Sequence, residues 1–495
     1  MRPASSALPS GKHFALTWGI PENYGGMTAA LLHRSRAFVR LGGVDVEVLT
    51  VDDRPDYPAL ERRMRESGEI VDGMRIRNVW EDLRAQPPAL SGRAVVGDAP
   101  LPAREDDVLA RDGGTVLLRE RRAPDGTFEA ADRFRRDGSL LATDRVVGGK
   151  RRIVVYAEDG TALRDWSSSW KLFRWWLDRL TGKETSFVIV DSKTAARFVA
   201  GYRRDNVVTA HLVHGGHRDG DAPGTLRASR EYTLRRAADY DLVVLLTTRQ
   251  RDDLLADGLG TAANVQVIPN GVALDEERTS GHQRGHGVVL ASLTDRKRVD
   301  HAVTAAAAAI AEDDRIVLDV YGEGEREAAL HELVRAQSPS GRIRLRGFTP
   351  DARRRFAEAD FSLLTSTSEG LPLVLAEAMA AGCLPIAYDI RYGPADLVRD
   401  GVNGYLVPEG DTAAMAGRIL ALQRLPEEQV ARMREAARER ARVFSDEAVT
   451  REWAQQLQAA LVAKPRVAVR GRSLAVRVWC RLGAAWRRLL RGAGR

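Results

Sequence analysis

The sequence is poor in cysteine and has no long uninterrupted apolar run. Only two of its 495 residues are cysteines, Cys383 and Cys480, which excludes a disulfide scaffold and indicates a reducing compartment. No stretch reaches the roughly 18 apolar residues of a membrane-spanning helix. The residues before Trp18 also lack the apolar core of a signal peptide. We therefore expect a soluble, cytoplasmic protein of several domains.

Acidic residues are missing from the last part of the chain. Residues 464–495 hold one lysine and nine arginines, and because the whole chain is +7, the remainder is net negative. A net negative body argues against nucleic-acid binding. Apolar residues recur at steps of three and four near the end, and Trp479 and Trp486 suit a lipid headgroup interface. The tail, 463–495, is predicted to bind the anionic inner membrane face; a merely solvated basic tail is the alternative.

Two stretches alternate apolar strands with amphipathic helices. The first opens at residues 13–51 as strand, Gly-rich turn, helix and strand, and resumes at 187. The second follows a polar linker, 275–287. The pattern predicts an α/β fold with two doubly wound, Rossmann-like domains and a ligand in the cleft between them. The predicted limits are 1–70 with 186–274, then 285–444, and a closing helix over 445–462.

The segment between the two parts of the first domain has a different pattern. Asp-Gly pairs at 125–126, 137–138 and 159–160 are hairpin turn signals between strand-like segments. They predict an antiparallel β-meander inserted over 71–185. An aromatic run follows at 166–176, which we expect to be helical core rather than a stacking platform for sugar.

The strongest chemical signal is a pair of glutamates, Glu369 and Glu377. The first is predicted in a turn after a strand and the second on the next helix, roughly 12 Å away for a helical rise. That separation suits one carboxylate on a sugar and one on a nucleotide ribose. Free N–H groups at the helix start, near Gly370, Leu371 and Leu373, suit a diphosphate. Taken alone, the spacing also fits two surface glutamates on an ordinary helix.

The context of these glutamates resembles a known family. The segment TSTSEGLPLVLAEAMAAG, together with IPNGV at 268–272, VYGEGE at 320–325 and NGYLVP at 403–408, is similar to the GT-B glycosyltransferases of retaining family 4. The resemblance implies that Glu369 orients the donor sugar and Glu377 binds the ribose. It also implies that Lys297 holds the donor diphosphate. The family has an arginine five residues before this lysine, where this chain has Ser292, and Arg296 or Arg298 is a candidate to replace its charge.

The resemblance also assigns residues of the first domain. It implies a histidine facing the donor sugar, for which His214 matches best and His217 is the runner-up. A metal site built from His211, His214 and His217 is disfavoured because no cysteine or acid completes a ligand set. Gly25 and Gly26 allow close approach of the backbone to a ligand, or a tight turn for packing, and the resemblance favours a cleft loop that contacts the donor.

Two further segments, LERRMRESGEIVDGMRIRNVWEDL at 60–83 and RFRRDGSLLA at 133–142 in the meander, resemble the β-rich insertion of bacterial teichoic-acid α-glycosyltransferases and of transferases that begin glycans on Ser-rich adhesins. This implies transfer of a hexose or N-acetylhexosamine from a UDP-sugar to an anionic cell-wall polymer, without metal or other cofactor. It also implies a homo-oligomer through the insertion, at the inner face of the cell membrane. Two alternatives stay open: a protein Ser/Thr O-glycosyltransferase, and a non-catalytic glycosyltransferase-like subunit.

Overall fold

The structure is a computed structural model of the chain. It describes residues 7–22, 24–91, 94–220, 222–274, 281–338, 340–349 and 351–464. The predicted basic tail, with Cys480, lies outside these ranges. Within them, no helix combines the length and the apolar character that crossing a membrane requires.

The first α/β domain begins with three strands that pair in parallel. Its opening elements are β1 (Lys12–Leu16), α1 (Gly26–Arg40), β2 (Val46–Thr50), α2 (Tyr57–Glu66), β3 (Met74–Asn78) and α3 (Val79–Ala85). Because β3 pairs with β2, this sheet extends beyond the predicted limit of residue 70. The strand was missed because it lies at the sheet edge, where Arg75 and Arg77 form ion pairs with Glu47 and interrupt the apolar pattern.

The insertion is a six-stranded antiparallel sheet whose strands pair in chain order. Gly126, Gly138 and Gly160 adopt the positive φ angles that tight hairpin turns require, as their Asp-Gly signals predict. The sheet occupies only 108–166, within the predicted range of 71–185. Its strands are β4 (Val108–Asp112), β5 (Thr115–Arg122), β6 (Phe128–Phe134), β7 (Leu140–Val147), β8 (Lys150–Tyr156) and β9 (Ala162–Trp166).

The chain then returns to the first domain through α4 (Ser169–Thr181), where Phe173 and Trp176 are buried in the domain core, as expected for the aromatic run. Four more strands complete a seven-stranded parallel sheet of order β13-β12-β11-β10-β1-β2-β3. The remaining elements are β10 (Ser186–Val190), α5 (Lys193–Val199), β11 (Val207–Val213), α6 (Ala228–Leu234), β12 (Leu242–Leu245), α7 (Thr248–Ala256) and β13 (Val265–Val267).

The second α/β domain is a six-stranded parallel sheet of order β16-β15-β14-β17-β18-β19. Its first strand begins at Gln283, inside the predicted linker, because polar residues at its start conceal the strand pattern. The elements are β14 (Gln283–Leu290), α8 (Val299–Glu312), β15 (Val317–Tyr321), α9 (Glu327–Gln337), β16 (Ile343–Leu345), β17 (Ala359–Leu364), α10 (Leu373–Ala380), β18 (Leu384–Tyr388), α11 (Pro394–Leu397), β19 (Tyr405–Val407), α12 (Thr412–Arg424) and α13 (Glu427–Arg442).

The last described helix, α14 (Asp446–Ala463), leaves the second domain and packs on the first. Its Trp453 is buried, contacts Phe38 edge-on and lies under the Arg34 guanidinium, with both partners on α1. Near its end, Lys464 forms an ion pair of 2.7 Å with Asp241. These contacts hold the two domains in one arrangement.

Replacing Trp453 with alanine should destabilise the protein. Removing a buried tryptophan side chain costs about 3–5 kcal/mol, and here the loss also weakens the attachment of α14 to α1. Urea denaturation of Trp453→Ala should therefore show a lower free energy of unfolding. The matched control is Gln455→Ala, an exposed position on the same helix, which should leave it almost unchanged. Equal stability of both variants would contradict the packing role of Trp453.

Candidate active site

The segment after β17 brings Glu369 to the start of α10. Lys297, in a short turn before α8, places its Nζ 2.6 Å from Glu369 Oε1. The Thr365 hydroxyl donates to the Lys297 carbonyl at 2.9 Å, and the Thr367 N–H donates to the Arg296 carbonyl at 2.9 Å, so the two segments are also joined through backbone groups. Among the described residues, no side chain caps the N-terminus of α10. A cation, a carboxylate and free helix donors beside Gly370, Leu371 and Leu373 thus meet at one edge of the sheet.

A second cation, Arg296, also contacts Glu369. Arg296 donates through Nη1 to Glu369 Oε1 at 3.2 Å and to the Ser368 carbonyl at 3.0 Å. Arg298 instead adopts a left-handed conformation and forms an ion pair with Glu409 at 3.1 Å. Of the two candidates to replace the charge missing at Ser292, Arg296 is therefore the one that lies at the site.

The first domain closes the site from the opposite side. Gly370 lies directly against the backbone of His214, and a Cβ there would clash with the His214 carbonyl oxygen. His214 follows β11, while Gly370 follows β17, so the carboxyl ends of the two sheets face each other. Glycine at 370 is thus required for the domains to approach this closely.

His214 is held by a buried carboxylate. Its Nε2 lies 2.7 Å from Asp191 Oδ1, and Arg34 donates two hydrogen bonds to Asp191 at 2.8 and 2.7 Å. Burial by itself raises the pKa of Asp191, but Arg34 and then His214 outweigh it and lower that pKa to about 2. Because the carboxylate is ionised, His214 Nε2 donates, and no residue that the structure describes bonds to its Nδ1.

The other two histidines of the HLVHGGH segment, His211 and His217, have partners other than Asp191. His211 is buried and hydrogen-bonded to the Val190 carbonyl. His217 is fully buried and stacked on Tyr392 across the domain junction. Burial lowers the pKa of both to about 4, so each is neutral near pH 7. The described residues include no group of histidines, cysteines and acids arranged to hold a metal ion.

Glu377 lies on α10, separate from the Glu369 contacts. Its ion pair is with Arg353, whose Nε lies 3.1 Å away. Burial raises the pKa of Glu377, and Arg353 opposes the rise. Since Arg353 is 68% exposed whereas Glu377 is 15% exposed, the arginine can leave without rearranging the helix.

Gly25 and Gly26 line an open cleft of about 700 Å³. A Cβ on either would meet nothing within 4 Å, so packing does not require glycine here. Trp18, Asp52, Arg54 and Ser192 line the same cleft, which lies wholly on the first domain. Ser192 follows Asp191, so this cleft adjoins the His214 contacts.

Sequence reasoning missed three residues of this region. Asp191 and Arg34 orient His214, and Asp52 is a cleft carboxyl bonded to the Tyr57 hydroxyl at 2.6 Å. Burial raises the pKa of Asp52 to about 6. One signal was available: Arg34 lies on the same face of α1 as Leu31 and Phe38, and an arginine on an apolar helix face needs a buried acid.

Comparison with known proteins identifies the second domain. Residues 282–440 match the model of the family described as glycosyl transferases group 1. This range is a group 1 glycosyltransferase domain. It contains Lys297, Glu369 and Glu377, and the first domain supplies His214.

Two curated relatives and one solved structure show what the chain is similar to. It is 31% identical over 275 residues to an exopolysaccharide phosphotransferase of Streptomyces coelicolor, covering 54% of this chain and 28% of the relative. It is 26% identical over 268 residues to a poly(ribitol-phosphate) α-N-acetylglucosaminyltransferase of Staphylococcus aureus, covering 52% of each. The matched parts therefore span about half or less of these relatives.

The solved structure is the pneumococcal O-GlcNAc transferase GtfA in complex with UDP and GlcNAc. Its TM-score is 0.67 at 19% identity, over 91% of this chain and 99% of that one. At this identity the likeness concerns the fold, and it extends across the group 1 domain, the first domain and the insertion. The chain thus has the GT-B fold, with an antiparallel sheet inserted in its first domain.

The buried Asp191 should make stability depend on pH. Its pKa is about 2 in the folded protein, below the ordinary 3.8, so its contribution is complete above pH 4 and is lost as pH falls towards 2. That contribution is on the order of 2 kcal/mol. Urea denaturation from pH 7 downwards should show Asp191→Asn less stable than the parent, with the difference shrinking below pH 4. If the difference in unfolding free energy between the two proteins did not change with pH, it would contradict an ionised Asp191 paired with Arg34.

Proposed function

We propose that this protein is a retaining glycosyltransferase that moves a hexose or N-acetylhexosamine from a UDP-sugar to a cell-wall polymer of the teichoic-acid type. The observation that carries the proposal is the meeting of Lys297, Arg296 and Glu369 at the start of α10, opposite His214. The similarity to a poly(ribitol-phosphate) transferase supports the acceptor class. The presence of UDP in the GtfA complex supports the donor class.

The geometry suggests how the donor is held. Lys297 and Arg296 neutralise the diphosphate together with the free N–H groups of α10, so binding frees Glu369 to accept hydrogen bonds from sugar hydroxyls. Glu377 exchanges the exposed Arg353 for the ribose hydroxyls. His214 Nδ1, fixed through Asp191, faces the sugar as a hydrogen-bonding group.

We propose front-face attack, in which the acceptor hydroxyl approaches on the side of the leaving diphosphate. The new glycosidic bond forms as the bond to the diphosphate breaks, and a donor phosphate oxygen accepts the acceptor proton. In this route Glu369 orients the sugar through its hydroxyls and does not attack it, while Lys297 and Arg296 have moved to the diphosphate. The same two cations neutralise the leaving group, so we propose that the reaction needs no metal ion.

A second candidate is transfer to Ser or Thr of a protein, favoured by the similarity to GtfA, an O-GlcNAc transferase. Under either candidate, the proposed setting is the inner face of the cell membrane in the cytoplasm, reached through the basic tail. The proposed role of the insertion is assembly into a homo-oligomer, since β4 lies at an edge of its sheet, where a strand of another chain can be added.

Transfer should be tested with purified protein, UDP-sugars and three acceptors: poly(ribitol phosphate), poly(glycerol phosphate) and a Ser-rich polypeptide. Radiolabelled sugar should appear on a polyphosphate polymer, and excess EDTA should leave the rate unchanged because protein cations neutralise the diphosphate. Labelling of the polypeptide alone would favour the second candidate. Loss of activity in EDTA, restored by Mn²⁺ or Mg²⁺, would contradict the proposed donor site.

The two glutamates should separate binding from turnover. Glu377→Ala should weaken UDP binding by about 1–3 kcal/mol because a charged hydrogen-bond acceptor for the ribose is lost. Glu369→Ala should bind UDP nearly as the parent does but turn over much more slowly, since it contacts the sugar. Calorimetric titration with UDP measures the first effect and initial rates the second. Glu332→Ala, exposed on α9, is the control, and unchanged UDP affinity in Glu377→Ala would refute the ribose assignment.

A further inference from the structure

Two arginines of the first domain reach the site from the side opposite Lys297. Arg227 immediately precedes α6, and Arg230 lies in its first turn; both side chains are partly buried. We call them the arginine pair. Arg227 donates to the Arg218 carbonyl at 2.9 Å and, across the domain junction, to the Ser368 hydroxyl at 3.2 Å. Ser368 is the residue before Glu369, so this guanidinium lies at the edge of the site.

Arg230 lies close to the backbone that follows His214. Its Nη2 would be 3.1 Å from a Cβ placed on Gly215, and a Cβ on Gly216 would be 3.5 Å from the Ser368 hydroxyl. Side chains at these two glycines would therefore crowd the Arg230 guanidinium and the Ser368 hydroxyl. This accounts for the Gly-Gly in HLVHGGH, which sequence reasoning left unused.

The charge of the arginine pair is not compensated by the described residues. The Arg227 guanidinium bonds only to neutral oxygens. The Arg230 guanidinium has neither an ion pair nor a hydrogen bond to any residue that the structure describes, although the Arg230 backbone is bonded to Arg227 and Thr233. Burial, and then the charge of Arg227, lower the pKa of Arg230 to about 10. Two neighbouring, partly desolvated guanidinium groups without a counter-charge are costly to maintain.

The nearby acids are already engaged. Glu231 forms an ion pair with Arg235 at 2.7 Å. Asp253 accepts from Arg391 and the Tyr392 hydroxyl, and Asp257 from Arg218. Asp191 is held by Arg34 and His214. Each of these described carboxylates therefore already has a partner, so we take an external anion as the counter-charge for Arg227 and Arg230.

We propose that the arginine pair is a phosphate subsite that binds a phosphodiester group of the acceptor next to the hydroxyl that receives the sugar. A guanidinium fork matches a phosphate group in shape and charge. The donor diphosphate already has Lys297 and Arg296 on the other domain, whereas this pair belongs to the domain whose cleft faces the acceptor. The inference rests on the proposed transferase function and narrows its acceptor to phosphate-bearing chains.

A phosphate at this position could also be the donor's own. The test therefore measures acceptor binding and donor binding separately in the variants Arg230→Gln and Arg230→Lys and in the control Arg235→Gln. Arg235 is exposed directly after α6 and forms an ion pair with Glu231. Its replacement should therefore change neither acceptor binding nor donor binding. The probes are poly(glycerol phosphate) as acceptor, UDP as donor fragment, and UDP-sugar hydrolysis by water.

Arg230→Gln should raise the KM for poly(glycerol phosphate) at least tenfold while UDP affinity and hydrolysis by water stay within twofold of the parent. Arg230→Lys, which keeps the charge but not the fork, should recover part of the acceptor affinity. The melting temperature of Arg230→Gln should equal or exceed that of the parent, because an uncompensated charge is removed. A merely structural arginine would instead lower it.

Two results would overturn the proposal: an unchanged KM for the polymer, or an equal fall in UDP affinity, which would assign the arginine pair to the donor. If the parent protein transfers no sugar, the proposed function fails by itself. Calorimetric titration with glycerol-phosphate oligomers then tests the phosphate subsite independently of sugar transfer. Binding at least tenfold weaker in Arg230→Gln than in the parent supports it, and equal binding refutes it.

Discussion

The backbone of Gly370 lies against the carbonyl of His214, and the site depends on that contact. Each α/β domain presents the carboxyl ends of its parallel strands, where ligands bind in open α/β sheets. Neither domain alone carries all the residues of the candidate site. The second domain supplies Lys297, Arg296 and both glutamates, whereas the first supplies His214. A side chain at 370 would separate the two ends, while α14 holds them together by returning to α1.

Two kinds of charge pair with a buried carboxylate bear on the site, and they differ in the exposure of the cation. The Arg34–Asp191 and Arg434–Asp360 pairs bury both partners, so breaking them would leave an uncompensated charge and they act as fixed supports. The pairs at the site bury the carboxylate but leave an arginine accessible, as with Arg353 on Glu377 and Arg296 on Glu369. Such cations can exchange a carboxylate for a ligand at little cost in stability. The arginine pair at 227 and 230 has no carboxylate partner among the residues that the structure describes.

Strand positions could be predicted well where both faces of a strand are buried. In β10 and β11 every residue is buried, and their continuous apolar runs were identified. The errors fell where polar residues enter a strand, at the edge strand β3 and at the start of β14. The insertion was identified from its hairpin turns, but its limits were not, because α3 and α4 pack on the first domain although they lie next to the meander in sequence.

For the site, the sequence by itself pointed to Glu369, Glu377 and the helix start between them only when their spacing was combined with the resemblance to a known family, and that resemblance alone pointed to Lys297. It also offered His214 as a match, with His217 as an alternative. Only the tertiary structure decided which histidine lies against Gly370, which arginine lies beside Glu369, and that Asp191, Arg34, Arg227 and Arg230 belong to the same region. These residues are distant in sequence and meet because two sheets and α14 bring them together. Burial and ion pairing depend on that approach in space, which no local spacing encodes.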